Sequence, residues 1–265
     1  MKKVLVTGAS GWIGRYCVET LKAIGFNVHE YPSNLLDRYH VDLTLYDFTH
    51  LLHLAWNVKP GYWDNPENID WFTGTARLIE EFHANGGKRI VVAGTQADLG
   101  QTLYGRSKAA VKTLLEAYNV TGLSSAYGRI HCLYGIGEKR DRLIPSIILH
   151  ALKGEQIPIN HPQQILDYLY VEDVADALCV LLDNDETGSV DIGSGHGITT
   201  LRIAQMIAEE IGVGQKMITP SNIPSMEYIV ADCRRISKIW RPRWELREGL
   251  EASIEWWKNN KEEAW

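Results

Sequence analysis

The sequence predicts an α/β fold, a doubly wound parallel sheet covered by helices, and three observations point there. Short β-branched runs alternate with segments of helical period along the first two thirds of the chain. The first strand breaks into a glycine-rich turn that opens a helix. Apolar residues make up 45% and charged residues 23% of 265, which suits one large folded unit with at most a small appendage and excludes a disordered or fibrous chain.

Val4-Leu5-Val6 is the first strand, and Trp12 to Ile24 is the first helix, closed by Gly25. Asn27 to Tyr31 and Thr49 to Ala55 read as further strands, the second of them buried on both faces. Glu67 to Ala84 has helical period and stops at Gly86-Gly87; Arg89 to Ala93 is the next short apolar strand. Leu103 to Tyr118 is a helix, Leu123 to Ile130 a strand, and Leu143 to Leu152 a helix with Pro145 in its first turn. From about Gly154 the pattern loosens, but Val171 to Leu182, Thr200 to Ile211 and Leu246 to Lys258 still read as helices. A parallel sheet of this kind takes ligands at the carboxyl ends of its strands.

Lys and Arg number 27 against 33 Asp and Glu, a formal net charge of −6, with no dense basic stretch, so nucleic acid is not an expected partner. Cys17, Cys132, Cys179 and Cys233 are too widely spaced for a zinc or CxxC motif, so no metal is expected and the thiols are read as reduced, in a cytoplasmic setting. Lys2-Lys3 looks like the start of an export signal, but Thr7 and Gly8 end the apolar run after three residues. No stretch reaches the length of a membrane span.

The turn Thr7-Gly8-Ala9-Ser10-Gly11-Trp12-Ile13-Gly14 lies between a strand and a helix, where spaced glycines let a backbone approach a pyrophosphate at a positive helix end. Its Thr-Gly-x-x-Gly-x-x-Gly spacing resembles that of the extended short-chain dehydrogenase/reductase family. Further matches follow in order: His53-Leu54-Ala55-Trp56, the Tyr-x-x-x-Lys string of Tyr104 and Lys108, Asp167 to Val174 as a strand entering a helix, and Asp191 to Gly195. The resemblance implies a Rossmann-type fold with residues 1–160 binding NAD(P), residues 165–192 returning to that domain, and residues 161–265 mostly forming a small substrate-binding region. It places Gly8, Ser10, Gly11, Trp12, Ile13, Gly14, Arg15, Ser33, Leu54, Ala55, Trp56, Tyr104 and Lys108 at the cofactor. Asn34 to Asp37 is the expected remnant of the family's third strand. The helices Glu67 to Ala84 and Leu103 to Tyr118 are expected to form a homodimer interface, as in many relatives.

Thr95, Tyr104 and Lys108 are the candidate catalytic residues. A phenol loses its proton near pH 10, and an ammonium one helical turn away favours the phenolate, which suits Tyr104 to proton exchange with a carbonyl oxygen. By resemblance, Lys108 also binds the nicotinamide ribose, and Thr95 orients the substrate oxygen. Thr95 and Tyr104 are nine positions apart, a shorter loop than relatives have, which leaves the site open or covered by a neighbour such as Gly61 to Asn65. The second strand runs into Pro32-Ser33-Asn34 where NAD-preferring relatives carry an acid, while Arg15, Arg38 and Ser33 suit a 2′-phosphate; NADPH is preferred over NADH on this reading.

Family members of this kind commonly act on nucleotide-linked sugars. Gln96-Ala97 stands where dehydratases carry Asp-Glu, and Ala97 where epimerase-reductases carry Cys. A 4-ketoreductase of a nucleotide-linked deoxysugar is favoured; a 4-epimerase retaining NAD and a non-catalytic dinucleotide-binding protein are the alternatives. Gln96, Cys132 and Arg142 are assigned to the substrate, Cys132 and Leu166 standing where relatives often have Asn and Arg. His131 and His161 are not read as catalytic. Of the nine tryptophans most are packing residues, with stacking on a base or sugar an alternative role for one of Trp56, Trp63 and Trp71.

Overall fold

The computed structural model describes residues 2–31, 35–36, 43, 47–223 and 227–260. Ser33 and Arg38, assigned above to the cofactor phosphate, lie outside them. The chain divides into two compact units: residues 1–130, 175–192 and 234–240 form the first, and residues 131–174, 193–233 and 241–265 the second. The division falls at Ile130 instead of near residue 160, because the strand that follows pairs within the second unit.

The first unit is a Rossmann-type α/β layer structure. Its strands β1 (Lys3–Thr7), β2 (Asn27–Glu30), β3 (His50–His53), β4 (Arg89–Ala93), β5 (Ser124–Ile130) and β9 (Gly188–Ile192) form one sheet in the order β2-β1-β3-β4-β5-β9, every neighbour parallel. The chain reverses direction across the sheet between β1 and β3, and in such sheets the crevice outside that switch point is where ligands bind. The strands β3 and β4 are buried at every residue, so their apolar residues Leu51-Leu52 and Ile90 to Ala93 follow one another without alternation, with His50, His53 and Arg89 as buried polar ends.

Helix α1 (Trp12–Ala23) buries Cys17, Val18 and Leu21; α2 (Glu67–Ala84) buries Leu78, Ile79 and Phe82; α3 (Leu103–Val120) buries Val111 and Leu115. Leu35, Leu51, Ile90, Leu115 and Tyr127 belong to one apolar cluster. Leu35 and Leu36 form a turn, not the strand expected there; Leu35 sits against Gly74 of α2 and serves the core without sheet pairing. The strand expected over Thr49 to Ala55 stops at His53, and Leu54 to Trp56 run on as irregular chain past the glycine turn.

The second unit contains β6 (Cys132–Tyr134), β7 (Ile157–Ile159), β8 (Ile165–Tyr170), β10 (Gly197–Thr199), β11 (Ile218–Pro220) and β12 (Tyr228–Ile229). β8 pairs with β6 and β12 in parallel and with β10 antiparallel, while β7 pairs with β11. The helices α4 (Leu143–Lys153), α6 (Thr200–Ile211) and α7 (Leu246–Asn259) close over a cluster that includes Ile148, Ile203, Ile207, Leu250 and Trp257. Helix α5 (Val171–Asp183) carries the chain from this unit back to the first. Among the described residues no helix is long and apolar enough to cross a membrane.

Two buried charges organise these units. In the second, Asp167 is fully buried and accepts hydrogen bonds from Ser194 N and Oγ, Gly195 N and Ala231 N, fixing three chain segments around one carboxylate. In the first, Asp98 is buried in the turn after β4, where it binds Arg129 of β5 and Lys112 of α3; Arg129 then reaches Asp191 of β9 at 2.9 Å. Replacing Asp98 with Ala strips Arg129 and Lys112 of their buried partner and is expected to cost about 3 kcal/mol of stability. Urea denaturation checks this: a midpoint equal to that of the native protein would contradict it.

Candidate active site

The turn between β1 and α1 is built by backbone contact. Gly8 has φ +69°, and a Cβ there would lie 2.8 Å from Ala55 N. A Cβ on Gly14 would lie 2.1 Å from Gly8 O. Any larger residue at these positions would force α1 away from β1 and the glycine turn away from the Leu54–Trp56 segment. Gly11 N donates to Gly8 O at 3.0 Å, which closes the turn, and Ser10 and Gly11 are exposed at its mouth. The N-terminal turn of α1 follows directly from this mouth, and a helix N-terminus favours a phosphate. The backbone cradle therefore fits a dinucleotide pyrophosphate, with Gly8, Ser10, Gly11, Trp12, Ile13 and Gly14 around it. Arg15, on the same turn of α1, lies with its guanidinium carbon 5.3 Å from the Tyr16 ring centroid.

Beneath the cradle, side chains tie β1 to β3. Thr7 Oγ1 accepts from Leu54 N at 3.2 Å and Ala55 N at 3.3 Å, so its own proton goes to His53 Nδ1 at 2.7 Å. The His53 ring then carries its proton on Nε2, which donates to Thr75 Oγ1 of α2 at 2.9 Å. Burial, helped by the nearby Lys108 charge, lowers the His53 pKa to about 3, so the ring is neutral. Sequence reading placed His53 in a family motif but could not assign it this hydrogen-bonding chain.

Thr95 follows β4 in extended conformation. Its N–H donates to Tyr127 Oη at 3.1 Å, and its hydroxyl accepts from Ala97 N at 3.2 Å, keeping the hydroxyl proton to give to another oxygen. The residues Gln96–Leu99 form a 3-10 turn pressed onto the start of α3, where a Cβ on Gly105 would lie 2.1 Å from Ala97 O. The short Thr95–Tyr104 connection is thus folded tightly, and glycine beside Tyr104 is what lets it close. Two acceptors cap the helix that carries Tyr104: Thr102 Oγ1 takes Gly105 N at 3.1 Å and Asp64 Oδ1 takes Leu103 N at 3.1 Å.

Tyr104 and Lys108 lie one turn apart on α3, and both are buried. Lys108 Nζ donates to Ala93 O at 2.9 Å and sits 4.1 Å from the Trp56 ring centroid, a cation–π contact. Burial lowers its pKa to about 7. Trp56, Tyr62 and Trp63 surround the Tyr104 ring at centroid distances of 6.3, 4.9 and 5.7 Å, all edge to face. The Gly61–Asn65 segment is therefore the cover anticipated for this site. Gln96 of the first unit is partly buried in the 3-10 turn; Cys132 and Arg142 of the second are partly buried, on β6 and at the N-cap of α4. Burial pushes the Cys132 thiol up to about 12, so it is protonated.

Sequence reading missed Asn68 and Asp98, both buried polar residues whose partners are remote or across a loop. It also missed Glu138 of the second unit, whose carboxyl burial holds well above the usual range.

The Haloferax volcanii low-salt glycan biosynthesis protein Agl12 is 27% identical over 160 residues, 58% of this chain and 52% of its own. The match to UDP-glucuronic acid decarboxylase 6 of Arabidopsis thaliana is 25% identical across 94% of this chain and 86% of that one. The chain thus spans about half the length of the first curated relatives it matches. Among solved structures, MoeE5 in complex with UDP-glucose and NAD superposes with a TM-score of 0.83 at 27% identity, covering 98% of this chain and 99% of that one. The Thermus thermophilus UDP-glucose 4-epimerase complex with NAD shares the fold at a TM-score of 0.84 and 23% identity, over 97% and 99% of the two chains. Residues 4–193 match the NAD dependent epimerase/dehydratase family, and with the glycine cradle and the Tyr104–Lys108 pair in place, the chain belongs to that family.

Proposed function

We propose that the protein reduces the 4-keto group of a nucleotide-linked deoxysugar with NADPH, Tyr104 being the proton donor. The observation that carries this over a dehydratase is the fate of Asp98. It is the single carboxylate in the turn after Thr95, and it is buried against Arg129 and Lys112, so no acid or base is available there to expel water. What remains is a donor set for carbonyl reduction. The Thr95 hydroxyl donates to the carbonyl oxygen and fixes its position, and Tyr104 gives that oxygen its proton. Lys108, when charged, steadies the negative charge left on the Tyr104 oxygen and offers its other protons to ribose hydroxyls. A reduced nicotinamide, when bound, supplies the hydrogen and electron pair that the carbonyl carbon takes up. Gln96 belongs to the same site; in the second unit, Arg142 has a charge that suits a diphosphate.

The preference for NADPH rests on charge. β2 ends at Glu30, an exposed acid that lies 3.7 Å from Lys22, and Pro32-Ser33-Asn34 follow where relatives carry the ribose-binding acid. Arg15 supplies a positive partner for a 2′-phosphate. The helices α2 and α3, which pack on each other, are the proposed homodimer face.

Oxidation of NADPH and of NADH with nucleotide-linked 4-keto-6-deoxysugars tests the function, with Tyr104→Phe run beside the native protein. Loss of about 10²- to 10⁴-fold in kcat is expected in the variant, with dinucleotide affinity retained. No turnover with any of these sugars, despite tight NAD binding, would favour the epimerase; an unaffected variant would favour the non-catalytic binder. Lys108 also sets a pH signature in the ligand-free protein. Its folded pKa of about 7 lies below the unfolded value of 10.5, so between these the unfolded chain binds more protons and stability rises with pH. Chemical denaturation from pH 7 to pH 9 should show that rise, and Lys108→Met should flatten it. Sedimentation at the mass of one chain would remove the homodimer.

A further inference from the structure

The cover over Tyr104 is more firmly built than a loop of its length requires. Gly61 turns the chain at φ +87°, and Tyr62–Asp64 form a single 3-10 turn. Asn68, on the first turn of α2 and buried, fastens it: Nδ2 donates to Tyr62 O at 2.7 Å and to Asn65 O at 2.9 Å, and Oδ1 accepts from Trp56 Nε1 at 2.9 Å. One amide thereby links the cover to the tryptophan that faces Lys108. At its far end the segment is tied to α3 through Asp64 and Leu103. The Tyr62 and Trp63 rings stack at 4.6 Å with 28° between their planes. Of the three rings gathered around Tyr104, Trp63 is the exposed one, at 43%.

An exposed indole is normally free to change rotamer, and a ligand that stacks on it must stop that motion at a cost in entropy. Here the indole is stacked on the Tyr62 ring, and the Tyr62 backbone carbonyl is held by Asn68, so that freedom is reduced before any ligand arrives. The ring centroid stands 5.7 Å from that of Tyr104, so a ligand that brings a carbonyl to Tyr104 comes within reach of the partly exposed indole. A hexose ring has an apolar C–H face that suits an aromatic plane, with hydroxyls left at the rim for polar partners.

We propose that Trp63, preset by Tyr62 and the Asn68 latch, is the platform on which the sugar ring of the nucleotide-linked substrate stacks. The Tyr62–Asn65 segment then forms the substrate wall that the nine-position connection from Thr95 to Tyr104 is too short to provide. Trp63 is a specificity-determining residue in this arrangement and Asn68 a positioning residue. The inference rests on the reading of Tyr104 as proton donor to a nucleotide-linked sugar.

Calorimetric titration of UDP, UDP-glucose, dTDP and dTDP-glucose into the NAD-loaded protein separates the two claims. The ratio of nucleoside diphosphate Kd to nucleotide-sugar Kd measures what the sugar contributes. Trp63→Ala is expected to shrink that ratio about tenfold and Trp63→Phe to preserve most of it, with affinity for NAD and for the bare diphosphates unchanged. Asn68→Ala should lose part of the ratio while Trp63 is still present, and should alter the tryptophan emission as the segment loosens. If the native protein prefers the sugar nucleotides and Trp63→Ala keeps that preference, the platform is wrong and the function stands. A native protein that binds a diphosphate no better when a sugar is attached also overturns the platform. Failure to bind any of the four overturns the reading of function and the platform with it. Retained NAD affinity identifies the variants that have folded, and Trp63→Phe, the milder change, carries the test if Trp63→Ala has not.

Discussion

A buried ammonium group is the constraint around which the first unit is arranged. Among the described residues, Ala93 O and the face of Trp56 answer the charge of Lys108. Desolvation penalises such a charge heavily, and the neighbours fit that cost: His53 is held neutral by its own burial and by this same charge, and Trp56 is locked in plane through Asn68. The polar chain from Thr7 through His53 to Thr75 then satisfies its hydrogen bonds without ionised groups. Each of these choices makes sense if Lys108 is to meet a ligand that brings oxygen atoms to its remaining protons.

The elements most legible in the sequence were those whose signal is local. Glu67–Ala84 and Thr200–Ile211 each carry a full amphipathic period and a stop signal, and Arg89–Ala93 is a bounded apolar run. The glycine turn was legible because its spacing, its preceding strand and its following helix agree. The short strands Cys132–Tyr134, Ile157–Ile159 and Gly197–Thr199 were not, since three residues hold too little of a two-residue period to distinguish them from loop, and their pairing partners are remote in the chain.

The same distinction separates the parts of the site. Tyr104 and Lys108 share a helix, so their spacing displays their relation; Thr95 is found by its place at the end of a strand. Asp98 and Asn68 look like ordinary solvated polar residues until tertiary structure supplies their partners. Arg129 lies 31 positions from Asp98, and Trp56 reaches Asn68 across the loop that both help to fasten. The buried Arg89 is a third case: it spans from Ser124 to the backbone carbonyls of Leu181 and Glu186, anchoring β4 to chain nearly a hundred positions away.

The last strand of the main sheet comes late. β5 ends at Ile130, and its outer neighbour β9 begins only at Gly188, after the whole first segment of the second unit has been made. As the polypeptide leaves the ribosome, β5 waits with one row of backbone amides and carbonyls open while some sixty residues are added. An open strand edge of this kind invites pairing with other nascent chains. The order of elements along the gene thus sets a vulnerable interval during synthesis that ends only when the sequence around Val190 arrives to cover that edge.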